Sequence, residues 1–330
     1  MKNPHMLSAA FRLASVVFAL AIGAPAHAQG GSWPSKPVTL VVGTPAGGAT
    51  DIYARALAQQ LGKVTGGTFL VENKAGANGN ISAEFVQRAP ADGSTLWVGT
   101  QAMMAINPSA YPSLRWKPAA FKPIIKGVEA PLVLVTHPSV PAKNFADLIK
   151  WAKDKNSHAS YASYSPGTPS HFLGFQLNEK FGLDMVHVPY KGSAPQINDI
   201  LSGQVPMGFT QLQTAIPHIE AGKLNAIVVT GKQRWRALPN VPTLAELGHG
   251  ELSTTIWFGI FAAASTPPAV LAAIEAAAVK AQSDADFRAR MEAQGFDVPK
   301  ETAAEFAKTI ATETARWAQV VKATGFKAND

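Results

Sequence analysis

"VTLVVGTPAGGATDIYARAL" (Val38–Leu57) is the stretch that decides how the chain folds. A β-rich apolar run stops at a proline and a glycine pair. "DIYARALAQQLGKV" then recurs with helical period, placing Ile52, Ala56, Leu57 and Leu61 on one face. A strand that feeds a helix in this way is the opening unit of an α/β sheet. The glycines also limit what the junction can hold. Gly43 and Gly48 have the spacing of a nucleotide-binding P-loop, but Ala49 stands where that motif needs lysine, and Gly-x-Gly-x-x-Gly is absent. What remains is the generic device of a helix N-terminus, whose N–H groups carry about half an elementary positive charge. Glycine lets a ligand approach the backbone closely. A carboxylate suits that better than a polyphosphate. Taken alone, the segment reads equally as a plain tight turn with Asp51 capping its helix.

The alternation continues outward. "TFLVENK" reads as a strand, "NISAEFVQRA" as a helix and "STLWVGT" as a strand, which makes βαβαβ and predicts a doubly wound sheet. From about residue 125 the pattern starts again. "PLVLVTH" is a strand and "NFADLIKWAKD" a helix with Asn144 as its N-cap. "SYASY", "MVHVPYK", "PMGFTQ" and "LNAIVVTG" follow as strands, with helical runs between them. A last strand, "TTIWFGIFAAA", precedes two long helical stretches, 268–282 and 303–323, that have no sheet of their own. The economical topology returns them to the first unit. The expected architecture is two α/β lobes joined by two crossings: 33–124 plus 256–330 as the first lobe and 125–255 as the second.

The first 28 residues stand apart. Lys2 and Arg12 flank an apolar run, Leu13–Gly23, and "APAHAQ" places Ala26 and Ala28 at the −3 and −1 positions of a cleavage site. This is the pattern of a secretory signal peptide cut after Ala28. The run is too short for a membrane anchor, which needs about 20 apolar residues. The protein is expected to be exported, periplasmic in a Gram-negative host. The chain has no cysteine, which rules out a disulfide and a cysteine-linked lipid. Of the formal charge of +7, two units lie in the leader. The rest are scattered and form no basic stripe, so nucleic acid is not an expected partner. His137, His158, His187, His218 and His249 show no ligand spacing, and neither a metal nor a cofactor is expected.

A second junction matches the first. "YASYSPGTPSHFLGF" (Tyr161–Phe175) again runs from a strand through small residues into a helix, offering Ser163, Ser165, Gly167 and Thr168 as donors. Ligands of open α/β sheets bind beyond the carboxyl ends of strands. Two such ends, one per lobe, can face each other across a cleft.

At this point the sequence resembles the solute receptors of tripartite tricarboxylate transporters, the Bug proteins of TctC type. The resemblance covers nearly all of the mature chain. It is carried by "WPSKPVTLVV", "PAGGATDIYAR", "VENKAGANGN", "ADGSTLWVGT", "HPSVPAKNFADLIKWAK", "VPYKGSAPQINDILSGQV", "HIEAGKLNAIVVTGKQRW" and "LPNVPTLAELG", in that order. It implies the type II periplasmic binding protein fold, with a small carboxylate held between two loops. The first loop corresponds to Ala46, Gly47 and Gly48, with Thr44 before it and Asp51 after it. The second corresponds to Ser163, Tyr164, Ser165, Gly167 and Thr168, with His171 in its helix. A third element corresponds to Tyr190, Lys191 and Gly192. Two departures stand out. Gly43 and Thr44 replace the family's proline and aromatic residue, which implies a more open or more polar pocket. Ser165 replaces a glycine, and either contacts the ligand or merely adopts the glycine's backbone angles. Tyr164 is a candidate for the missing aromatic contact.

Several of these residues have plainer roles open to them. His171 reads better as a hydrogen-bonding support than as a catalyst. Lys191 is either a cation for the ligand or a surface lysine. Gln101 follows a strand end and is a candidate ligand contact. Asp51 would repel an anion and fits loop positioning. The expected function is a receptor that captures a small carboxylate by lobe closure and, as the resemblance implies, delivers it as a monomer to a two-component membrane permease. A periplasmic receptor reporting to a sensor kinase has the same sequence signature. A serine hydrolase using Ser163 or Ser165 with His171 is disfavoured, because "SYSPG" lacks the first glycine of a nucleophile elbow.

Overall fold

The computed structural model describes residues 33–328, so the leader lies outside the described residues. β1 (Val38–Val42) runs into α1 (Ala49–Thr65), as the opening stretch predicts. β1 is a continuous apolar run because it is an interior strand covered on both faces. β2 (Phe69–Asn73) and β3 (Thr95–Thr100) flank it in parallel, with α2 (Asn80–Arg88) between them in sequence. On α1 the core side is set by Tyr53, Ala56, Leu57 and Leu61. Ile52 is only half-buried and Tyr53 takes its expected place, because Gly127 opposite leaves room for the phenol: a Cβ there would overlap the Tyr53 hydroxyl.

A π-helical segment, Ala102–Ile106, and α3 (Asn107–Ala110) lead to β4 (Phe121–Thr136), the pivot of the fold. The second lobe then alternates as expected: α4 (Phe145–Lys153), β5 (Ser160–Ser163), α5 (Pro169–Phe181), β6 (Val186–Pro189), α6 (Ser193–Leu201), β7 (Met207–Gln211), α7 (Leu212–Glu220) and β8 (Asn225–Val229). Asn144 caps α4, its side chain accepting from the Asp147 N–H. The chain returns through β9 (Thr255–Ala263) to α8 (Pro268–Ser283), α9 (Ala285–Ala293) and α10 (Ala303–Thr324). A reciprocal Thr302–Glu305 capping box starts α10. Helix α9 is an addition to the two expected terminal helices, started by Asp284, whose side chain accepts from the Phe287 N–H.

The strands form one sheet in the order β2-β1-β3-β9-β4-β7-β5-β6, with β8 also on β4. β4 divides its length between the lobes. Phe121 to Pro131 pair antiparallel with β9, and Leu132 to Thr136 pair with β7. The first half of β4, Phe121–Ala130, is a strand that the sequence pattern does not show. Bulges between Pro123 and Ile125 and between Lys126 and Val128 break its alternation. The result is a two-lobed α/β fold with β9 and β4 antiparallel at its centre. Among the described residues, no helix is long and apolar enough to cross a membrane.

Candidate functional site

The first loop leaves β1 at Gly43, which is packed too tightly for any side chain. A Cβ there would lie 2.5 Å from Ser82 Oγ, 2.6 Å from Met103 Cε and 2.9 Å from the Gly79 backbone. Thr44 is half-buried, and its Oγ1 is enclosed without a hydrogen-bond partner. Ala46 and Gly47 are exposed, and Gly47 turns the chain with φ of +80°. Gly48 caps α1 with no side-chain bond. The N–H groups of Gly48, Ala49 and Thr50 therefore have no acceptor within the helix.

Asp51 organises this loop from behind. Its Oδ2 accepts from the Gly47 N–H and from Arg55 Nε, both at 2.9 Å, and its Oδ1 accepts from Asn73 Nδ2 at 2.9 Å. Burial pushes the carboxyl pKa up, but the bonds from Arg55, Gly47 and Asn73 outweigh it and hold it below the usual carboxylate range. Asn73 also donates to the Thr44 carbonyl at 3.1 Å. The Gly47 amide is thus occupied by Asp51, and the donors left open lie one to three residues further on.

The second loop leaves β5 at Ser163, which is fully buried, its Oγ 2.7 Å from His187 Nε2. Thr168 caps α5 by position, but its hydroxyl donates back to the Ser165 carbonyl at 2.6 Å and lies 2.9 Å from Ser170 Oγ. The N–H groups of Thr168 and Ser170 have no acceptor within α5, and Pro169 between them has no N–H. Gly167, at φ of +69°, donates its N–H to His171 Nδ1 at 3.3 Å, which leaves the neutral ring's proton on Nε2. The His171 and His187 rings stack at 4.0 Å and 15°. Burial lowers His171 to about 3, with a further push from His187, and lowers His187 to about 4. Both are neutral at physiological pH. Tyr164 is half-buried, and burial raises its phenol pKa against a smaller lowering by Thr168 and Ser170.

The third element is tied to the second loop by the backbone. The Tyr190 N–H donates to the Ser163 carbonyl at 2.9 Å and the Gly192 N–H to the Tyr164 carbonyl at 2.7 Å. The Tyr190 hydroxyl is committed to Asp199 on α6 at 2.7 Å, and burial followed by that bond pushes its pKa up to about 12. Lys191 is exposed. Gln101 lies elsewhere, between the start of β9 and α10. It is 1% exposed and its Nε2 donates to the Thr255 carbonyl and to Glu313 Oε2, both at 2.8 Å. Trp257 Nε1 also donates to Glu313 Oε2, at 2.7 Å, and burial raises the Glu313 pKa.

Residues with no role in the sequence reading join the two loops. Gly76, Ala77, Asn78 and Gly79 all have positive φ, at 134°, 45°, 49° and 88°. Left-handed backbone at two non-glycine residues in a row is uncommon and needs external support. Asn107 supplies it: its Oδ1 accepts from Asn78 Nδ2 at 2.9 Å, and its Nδ2 donates to the Asn78 carbonyl at 3.1 Å and to Asn80 Oδ1 at 2.8 Å. From this turn Asn78 Oδ1 meets Ser165 Oγ of the other lobe at 3.4 Å. Gly79, next to it, abuts Gly43. The two loops are therefore neighbours through one asparagine. The glycines of "AGANGN" announce a turn, but nothing in the sequence says which residue bridges the lobes. His187, the partner of Ser163, was equally hidden.

The model of the tripartite tricarboxylate transporter family receptor, TctC, matches residues 53–326. Protein BugT of Bordetella pertussis is 32% identical over 315 residues, which span 94% of this chain and 96% of BugT. The solved structure of R. palustris Rpa4515 with adipate superposes with a TM-score of 0.84 at 31% identity, covering 89% of this chain and 99% of that one. MatC (Rpa3494) from Rhodopseudomonas palustris, with bound malate, gives 0.80 at 29% identity, covering 88% and 100%.

Proposed function

The chain belongs to the tripartite tricarboxylate transporter receptor family, and on that premise we propose that it captures a small aliphatic carboxylate between its two loops for a two-component membrane permease. The observation that carries this is a pair of helix N-termini, α1 and α5, each without a side-chain cap bond and one in each lobe. Both start beyond strand ends, and Ser165 and Asn78 bring their loops together. The charge such termini favour is negative. The adipate and malate held by two relatives support the ligand class.

In this scheme Ala46, Gly48 and the start of α1 meet one end of the acid. Ser165, Thr168 and the start of α5 meet the other. Asp51 and Gly47 shape the first loop, and Ser163, His171 and His187 brace the second. Thr44 lines the first loop, and Tyr164, Tyr190 and Lys191 flank the second; Gln101 acts at the hinge. The lobes divide as 33–124 plus 256–330 and 125–255, and closure is selected because the ligand touches both. The mature chain is a periplasmic monomer, released after Ala28. It is a binder and not a hydrolase: Ser163 has a histidine partner at 2.7 Å but no exposure, and Ser165 has exposure but no histidine.

The test is a thermal-shift series on the mature protein with adipate, malate and their diamides. A binder at 100 times its Kd adds about 2.7 kcal/mol of stability. An acid should raise Tm and its amide should not; equal shifts from both would remove the anion site.

A further inference from the structure

We propose that Phe326, on the segment after the last helix, is a clasp between the lobes that sets how long the bound acid stays. Gly325 ends α10 in the left-handed conformation at φ of +64°. The Phe326 N–H then donates to Thr324 Oγ1 at 3.1 Å, and the Ala328 N–H donates to the Ala110 carbonyl at 2.8 Å. The segment is thus pinned on both sides of Phe326 to α10 and α3. The ring itself reaches the other lobe. It meets His171 edge-on at 5.0 Å and 72°, and Phe172 at 5.7 Å and 83°.

The seat is close. A Cβ on Gly167 would lie 3.0 Å from a Phe326 ring carbon, so the ring covers the second loop at its left-handed turn. Phe326 therefore leans on two groups that shape that loop: Gly167, and the His171 ring that accepts the Gly167 N–H. Phe172, fully buried, continues the contact to Trp317 of α10 at 5.9 Å. Opening the cleft withdraws the ring from His171 and Gly167, so the contact favours the closed state and not the open one. Phe326 is a positioning residue: it acts on the acid through the second loop.

The test has two arms, and only the second rests on the carboxylate reading. The chain has no native cysteine, so Asn78→Cys with Ser165→Cys, under an added thiol oxidant and in the Phe326 and Phe326→Ala backgrounds alike, reports closure through disulfide capture without any ligand. Capture should be about tenfold slower with Phe326→Ala than with Phe326, and Phe326→Tyr should restore it. In the second arm, dissociation of adipate or malate, measured by stopped-flow, should be about tenfold faster in Phe326→Ala, with association nearly unchanged. Equal capture rates with and without the ring would overturn the clasp, even if Phe326→Ala also lowered Tm. If neither acid binds the wild type, the ligand assignment fails and the capture arm still decides.

Discussion

Replacing Asp51 by asparagine tests whether the first loop is held by one carboxylate. The side chain is 4% exposed and accepts three hydrogen bonds, two on Oδ2 and one on Oδ1. Asparagine keeps one acceptor. If its oxygen faces Gly47 and Arg55, its NH2 faces Asn73 Nδ2, donor against donor. Asn73 cannot flip without losing its bonds to the Thr44 carbonyl and from Arg55. One charge-assisted bond is lost, worth about 1.5–3 kcal/mol, and the Gly47 bond falls to neutral strength. Arg55 is half-exposed and rehydrates, so its pair adds little. The expected cost is about 2–3 kcal/mol. With about 2.1 cal/mol/K of unfolding entropy per residue over roughly 300 residues, Tm falls by about 3–5 °C. Calorimetry of the mature protein measures this, and amide exchange at Gly47 should quicken. Because the folded pKa of Asp51 is depressed, its contribution is present above the unfolded value near 3.8 and is lost as pH falls below it. An Asp51→Asn protein that melts within about 1 °C of wild type, with Gly47 exchange unchanged, would refute the reasoning.

The stacked histidines make stability fall with falling pH, as a depressed carboxylate does, but over a higher range. Unfolded, each binds a proton near 6.5; folded, not until about 3 and about 4, so their contribution is full above 6.5 and drains as pH falls through 6 toward 4. The slope reaches about 1.4 kcal/mol per pH unit for each ring, and His187→Gln should flatten the fall in Tm between pH 7.5 and 5 relative to wild type. Gly43→Ala pushes a methyl onto the Gly79 backbone and should cost about 1–3 kcal/mol by denaturant titration; a neutral result would mean that the first loop does not abut the Gly76–Gly79 turn. Lys126, 7% exposed, pairs with Glu129 at 2.6 Å and Glu301 at 2.8 Å. Lys126→Met leaves those carboxylates uncompensated and should cost about 3–5 kcal/mol, with part recovered on adding Glu301→Gln.

What was legible in the sequence was what depends on neighbours in the chain. The β1–α1 junction, the Asn144 cap and the alternation of the second lobe follow from period and capping, which local residues settle. The first half of β4 was hidden because it breaks both cues. Pro123, the bulges and three charged residues interrupt the period, and Lys126 is buried between Glu129 and Glu301, the latter from 175 residues away. Gly127 looks like a turn residue, yet it is there to admit Tyr53.

The site divides along the same line. That two strand ends carry helix N-termini could be read directly, since glycine and small hydroxyl residues have a local reason to be there. Which amides stay free could not. Asp51 is four residues beyond Gly47, and only the folded turn shows that its carboxylate takes that N–H and moves the open donors onto Gly48 and α1. An acidic residue beside the proposed anion site then ceases to be a contradiction. Its charge is turned to Arg55, Asn73 and Gly47, and it fixes the loop that presents the next amides. The bridge between the lobes was hidden more deeply. Asn78 matters for a backbone conformation that its side chain does not dictate, and Phe326 sits in a terminal segment where fraying is the default expectation. Both owe their positions to α3, through Asn107 and the Ala110 carbonyl. That short helix fixes two of the contacts that join the lobes, so substitutions in α3 should alter closure.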